Sequence, residues 1–193
     1  MPPKVKITRD EIIDAALAIV REHGEQAINA RTLAAALGCS TQPIFSNFVT
    51  MDDLRMVVTA RACDMYEEYM QRETERGIYP VYKSCGMAYI HFAKEEKELF
   101  KLLYMRPRSG APLGAEADID RRMGRLVHAN TGLEGEQSKL FHLEMWAYVH
   151  GIAVMFATGY LDLEEALVDK ILTDAYQGLR KQFGVDENGR NSN

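Results

Sequence analysis

Residues 29 to 48 limit what this chain can fold into more than any other stretch. Asn29 precedes Ala-Arg-Thr-Leu-Ala-Ala-Ala-Leu, Gly38-Cys39-Ser40 follows, and Thr-Gln-Pro-Ile-Phe-Ser-Asn-Phe closes the stretch at Phe48. Asn29 is an N-cap, Leu33, Ala34 and Leu37 form an apolar face, and Gly38 supplies the positive φ that ends a helix of about two turns. Ser40 is expected to cap a second short helix, Thr41 to Asn47, with Pro43 at its third position, where the missing amide hydrogen is an orphan in any case. Ile44 and Phe48, four apart, hold that helix down, and Ala34, Ala35 and Ala36 let the two helices approach closely. A helix at Arg9 to His23 covers both. Thr8 and Glu11 form a capping box, Ile13, Leu17 and Val20 make a stripe that Ile12, Ala16 and Ile19 widen, and Gly24 is a left-handed stop. The pattern is a helix-turn-helix.

The rest of the chain also reads as helix. Thr50-Met51-Asp52-Asp53 opens a long helix to about Arg76, ended by Gly77 and Pro80. Val81 to Lys94, Glu96 to Met105, Glu116 to Asn130, Gln137 to Tyr160 and Glu164 to Phe183 are five further helices. Arg106 to Ala115 is a loop and Gly132 to Gly135 a turn. No run alternates with period two for long enough to argue a strand. The expected fold is therefore all-α with about nine helices. Residues 1–52 form an N-terminal three-helix helix-turn-helix domain, 53–184 a larger C-terminal helical domain, and 185–193 a polar, disordered tail.

Composition narrows the class. With 193 residues, 47% of them hydrophobic, one or two small globular domains fit. Cys39, Cys63 and Cys85 are too sparse for a disulfide framework and too far apart for a zinc pair. Met1 to Lys6 has charge but no apolar run behind it, so no signal peptide is read and the cytoplasm is the expected compartment. Met145 to Leu161 is uncharged but only seventeen residues long, short of the roughly twenty that a membrane span requires. It is expected to be buried on nearly all sides, inside a bundle or an oligomer.

The second short helix presents Thr41, Gln42, Ser46 and Asn47 outward, where they can face a major groove. Gln42 can bridge adenine N6 and N7, and Pro43 and Phe45 lie on the same helix. Arg31, at the start of the preceding helix, suits a phosphate, and Lys4 and Lys6 can lie along phosphates or in a minor groove. The net charge of −5 argues at first against a nucleic-acid partner. Residues 1–48 hold five basic and five acidic groups, so the whole excess of acid lies in the remainder. The body repels DNA, and a neutral head must rely on helix placement, polar contacts and dimerisation.

Here the chain resembles the tetracycline-repressor (TetR) family of transcription regulators. The resemblance rests on Gly24, on Arg31 through Ser40, on Ile44-Phe45-Ser46-Asn47-Phe48 and on Asp53-Leu54. A looser likeness is Trp146-Ala-Tyr-Val-His150-Gly151 in the eighth helix. Phe45 stands where the family usually has Tyr, Asn47 where it usually has His, and Met51 where it usually has Lys. Each departure removes a possible phosphate contact. The family implies a ligand-responsive regulator, most often a repressor, that a small molecule releases from a near-palindromic operator. The long fourth helix would transmit the change.

The resemblance also implies a small-molecule pocket in the body. Tyr66, Tyr89, Phe92, Tyr104, Met105, Met123, Trp146 and His150 are the expected lining, and ten methionines suit an adaptable cavity. Helices eight and nine are the expected homodimer surface, through Ala147, Gly151, Val154, Met155, Leu172 and Tyr176. No nucleophile elbow, phosphate loop or metal-binding pair is found, so neither catalysis nor a cofactor or metal is expected. The competing reading is a helical small-molecule or protein-binding module whose DNA-binding domain is vestigial.

Overall fold

The computed structural model of this chain describes residues 7–105 and 113–185, apart from the side chains of 113–120. Every regular element among these residues is a helix: α1 Arg9–His23, a 3₁₀ turn Glu25–Ala27, α2 Ala30–Ala36, α3 Gln42–Asn47, α4 Met51–Arg76, α5 Val81–Glu95, α6 Lys97–Tyr104, α7 Leu113–Thr131, α8 Gly135–Thr158 and α9 Glu165–Gln182. The all-α expectation therefore holds. The polar tail from 186 on, the N-terminal lysines and most of the loop after Met105 lie outside the described residues.

The helix starts follow from local chemistry. Thr8 Oγ1 accepts from the Glu11 amide at 3.2 Å, and a Glu11 carboxylate oxygen accepts from the Thr8 amide at 2.7 Å. These bonds favour the charged form, so the Glu11 carboxyl titrates below its ordinary range. Asn29 Oδ1 accepts from the amides of Arg31 and Thr32 at 3.0 and 3.1 Å. Thr50 and Asp53 exchange the same pair of bonds at the head of α4, at 2.8 and 3.1 Å. Four local expectations need correction. Ser40 caps nothing: Thr41 is the residue before α3, no side chain caps that helix, and Pro43 is its second residue. Gly24 has the positive φ of +79° but a ψ of 168°, so the chain leaves α1 extended rather than left-handed helical. The segment ending at Ala115 is not all loop, because α7 already begins at Leu113. At its far end α8 stops at Thr158, where Gly159 takes the left-handed conformation.

Two compact units result, residues 1–67 with 96–106 and residues 68–95 with 107–193. In the first, α1 is the hub, packing against α2, α3 and α6. Ile12, Ala16 and Val20 on α1, Leu33 on α2 and Ile44 on α3 are all completely buried, as are Leu99 and Phe100 on α6. Full burial of the Ile, Val, Leu and Phe side chains among them stabilises a fold by about 1.5–3 kcal/mol each. Arg21 on α1 grips Glu96 with both ends of its fork, Nε to Oε2 at 2.9 Å and Nη2 to Oε1 at 2.8 Å. Arg55 on α4 donates to the Ile28 carbonyl at 2.9 Å and so ties the entry of α2 to α4.

In the second unit α8 is central, packing on α5, α7 and α9. Phe141 is fully buried and meets Tyr176 and Phe183 edge-on at 5.7 and 5.5 Å. By length and composition α8 could cross a membrane, yet only a third of its most apolar stretch is buried in the single chain. Within the single chain, Met145 to Leu161 is not buried on nearly all sides: Trp146, Tyr148, Tyr160 and Leu161 are exposed, so the bundle alone does not cover it.

The burial pattern of α3 generates a stability prediction. Ile44→Ala should cost about 2–5 kcal/mol, because it empties a fully buried site. Phe45→Ala, at a side chain 52% exposed, should stay within about 0.5 kcal/mol. Urea unfolding of the two variants checks both values, and equal losses would show that α3 is turned the other way.

Candidate DNA-reading helix and effector-binding body

The helix-turn-helix has an anchored side and a solvent side. Ile44 and Phe48 face inward and are buried. Gln42, Phe45 and Ser46 face outward, and Thr41, Pro43 and Asn47 are half-buried at the edges. Arg31 is exposed at the first turn of α2. Two of the expected groove-facing groups are engaged by their own helix. Ser46 Oγ donates to the Gln42 carbonyl at 2.9 Å, and Asn47 Nδ2 donates to the Pro43 carbonyl at 2.8 Å. The Gln42 side-chain amide and the Arg31 guanidinium have no partner among the described residues. Gln42 thus keeps both donor and acceptor for a ligand, while Ser46 keeps mainly its acceptor capacity. Lys4 and Lys6, the expected arm, lie outside the described residues. The head of α4 is acidic: Asp52 is largely exposed and paired with Arg55 at 3.1 Å, and Asp53 is engaged with Thr50.

The residues expected to line a pocket divide between the units. Tyr66, Tyr104 and Met105 belong to the first, where Tyr66 meets Tyr104 edge-on at 5.7 Å and Met105 is 42% exposed. Tyr89, Phe92, Met123, Trp146 and His150 belong to the second. Tyr89, Phe92 and Met123 are buried there, while Trp146 is partly exposed and stacks on His150 at 4.7 Å.

The histidines of α8 have partners that periodicity did not show. Tyr82 Oη lies 3.0 Å from His142 Nδ1, and Tyr89 Oη lies 2.9 Å from His150 Nδ1. Tyrosines seven apart on α5 thus meet histidines eight apart on α8, a matched spacing that was visible in the sequence only once the two helices were known to pair. Burial pushes the Tyr82 phenol far above its ordinary range, so it keeps its proton across the neutral range. Burial also raises the Tyr176 phenol.

The second unit contains a half-open cleft of about 280 Å³ between α4, α5, the end of α8 and the start of α9. Its floor is apolar and buried: Met87, Ile90, Phe156 and Val168. Its rim carries Arg72, Arg76, Lys94, Glu95 and Glu165, all exposed. Arg72 stacks over the Tyr69 ring at 4.1 Å, and Tyr69 donates its hydroxyl to Glu95 at 2.7 Å. None of the eight residues expected as pocket lining belongs to this cleft. Sequence reasoning missed it because its residues come from four helices far apart in the chain and share no common motif.

On the expected dimer surface, Ala147 is exposed and Gly151, Val154, Met155 and Tyr176 are half-buried. Leu172 is only 3% exposed in the single chain and its side chain serves its own unit's core. Tyr176 packs on Phe141 and Tyr82 within the chain.

Comparison with known proteins agrees with this architecture. Residues 82–177 match the tetracyclin repressor-like C-terminal domain. An uncharacterized HTH-type transcriptional regulator of Mycobacterium tuberculosis is 25% identical over 177 residues, covering 88% of this chain and 78% of that protein. A TetR family transcriptional regulator from Vibrio parahaemolyticus superposes with a TM-score of 0.63 at 16% identity, over 88% of this chain and 96% of that one. A TetR-like transcriptional regulator from Rhodococcus sp. RHA1 does so with a TM-score of 0.63 at 16% identity, over 94% of each. At these identities the structural likeness is one of fold. The C-terminal domain match and the regulator relative, with the helix-turn-helix at the N-terminus, place the chain in the TetR family of transcriptional regulators.

Proposed function

We propose that this protein is a cytoplasmic homodimer that reads a near-palindromic operator with α3 and acts as a repressor, released from DNA by a small molecule bound in its second unit. The observation that carries the DNA-reading part is the two-sidedness of α3. Ile44 and Phe48 anchor it, while Gln42, Phe45 and Ser46 stand on the solvent side of a six-residue helix. Gln42 is positioned for a bidentate contact with adenine, and the Phe45 ring suits a thymine methyl. Residues 1–52 are the reading head and residues 53–184 the regulatory body.

The dimer assignment is supported by the outward face of α8. Leu140, Leu143, Ala147, Gly151 and Val154 recur at intervals of three and four, which is one stripe of a helix. Leu140 and Leu143 are about half exposed, and a Cβ built on Gly151 would meet nothing within 4 Å. A partner copy can therefore approach closely there, and its apolar surface replaces water better than lipid would against a helix that carries Glu136, Lys139 and Glu144. Effector binding would act through α4, which supplies residues to both units. An effector that favours the state with wrongly spaced reading helices lowers operator affinity by its differential affinity for the two states.

Three outcomes are expected. Gln42→Ala should cost about 1–3 kcal/mol per half-site and relax specificity at one base pair, measured by mobility shift on the DNA upstream of its own gene and on single-base variants of it. Operator affinity should fall gently with salt, with a log–log slope shallower than about −5, because an acidic α4 head, Phe45 and Asn47 leave fewer than about six ion contacts per dimer. Leu143→Glu should shift the protein from dimer to monomer in sedimentation equilibrium without lowering its helix content by circular dichroism, since the side chain is exposed in the single chain.

A further inference from the structure

The cleft of the second unit has one buried polar group, and it is incompletely satisfied. Glu73 is 4% exposed. Its Oε1 accepts from Arg76 at 2.8 Å and lies 3.2 Å from His91 Nδ1. Its Oε2 is buried and has no hydrogen-bond partner. His91 in turn lies 3.8 Å from a Glu165 oxygen, so two carboxylates bracket that ring. A buried carboxylate oxygen with no donor keeps its desolvation penalty, and folded proteins leave few such atoms unexplained. Around it the floor is apolar, and the volume, about 280 Å³, is at the small end of ligand cavities.

We propose that this cleft binds a small organic cation, a primary ammonium on a compact apolar body, with the ammonium donating to Glu73 Oε2 and the body lying against Ile90 and Phe156. The buried oxygen that this lining leaves without a partner is an acceptor that lacks a donor. An anion would have to displace the paired carboxylate, and of the three exposed rim cations, Arg72, Arg76 and Lys94, Arg76 is engaged by Glu73 and Lys94 by Asp162. An ammonium supplies the missing donor without uncoupling Arg76, and charge-assisted bonds of this kind are the strong ones. The Glu165 carboxylate near His91 adds negative potential on the same side. The unpaired Glu73 oxygen therefore sets the kind of group selected, a hydrogen-bond donor, and Ile90 and Phe156 the size. This inference rests on reading the second unit as the effector-binding body.

The full-length protein is titrated calorimetrically, without DNA, with 2-phenylethylamine, which is protonated at neutral pH, and with phenylacetate and 2-phenylethanol, which present the same ring with an anion or a neutral hydroxyl. The amine is expected to bind at least tenfold more tightly than either analogue. Glu73→Gln, which preserves shape and removes the charge, should lower amine affinity at least tenfold. Leu163→Trp, which fills the cleft from its half-buried wall and leaves Glu73 intact, should abolish binding. Circular dichroism on both variants confirms folding, and if Glu73→Gln does not fold, the Leu163→Trp result and the ranking of the three ring compounds decide the matter. No amine binding, tighter binding of phenylacetate, or an amine affinity indifferent to both substitutions overturns the proposal. Operator binding is measured separately by mobility shift: its loss would count against the regulator reading alone, and loss of amine binding against this site alone.

Discussion

A helix of six or seven residues is not stable on its own in water, because nucleation fixes several residues before hydrogen bonds repay the entropy. Both α2 and α3 are that short. They exist because α1 offers a continuous apolar surface, with Ile12, Ala16 and Val20 fully buried against their partners, and because Leu33 and Ile44 enter it completely. The outward placement of Gln42 and Phe45 is a consequence of that inward anchoring. A change that loosened Ile44 would cost the reading surface before it touched any residue of that surface.

Charge has a smaller part in this head than its partner would suggest. The first 48 residues are formally neutral, and α4 opens on two aspartates. Asp53 is engaged by Thr50 and Asp52 by Arg55, so neither is a stray charge, yet both set a negative potential where the backbone amides of a helix start would otherwise welcome a phosphate. In the proposed DNA-reading role, recognition rests on geometry and on Gln42 and Arg31, while Ser46 and Asn47 direct donors at their own helix.

In the body many polar groups satisfy one another between helices. Tyr82 and His142, and Tyr89 and His150, satisfy one another between α5 and α8 and read as packing pairs. Lys83 is likewise engaged, by Asp169 and Thr173 on α9. Glu73 differs in that Arg76 and His91 crowd one oxygen and leave the other bare beside a cleft.

The sequence by itself determined what is decided within four or five residues. The caps at Thr8, Asn29 and Thr50, the stop at Gly38, the stripe of α1 and the inward pair Ile44 and Phe48 are local, and the helix boundaries followed from them to within a few positions. Where local signals were weak the reading slipped, as at Ser40 and at the start of α7, because a serine near a helix start can cap only if the backbone turns its hydroxyl toward the free amides. Tertiary structure alone decided the rest. Arg21 and Glu96 are 75 positions apart, and Tyr89 and His150 are 61 apart, yet each pair is in hydrogen-bond contact. The burial of Glu73 on α4 and of Leu172 on α9 likewise came from the packing of helices on one another. Contacts over such separations are set by which helix faces meet, and that choice minimises exposed apolar area over the whole unit, a quantity no short window of sequence contains.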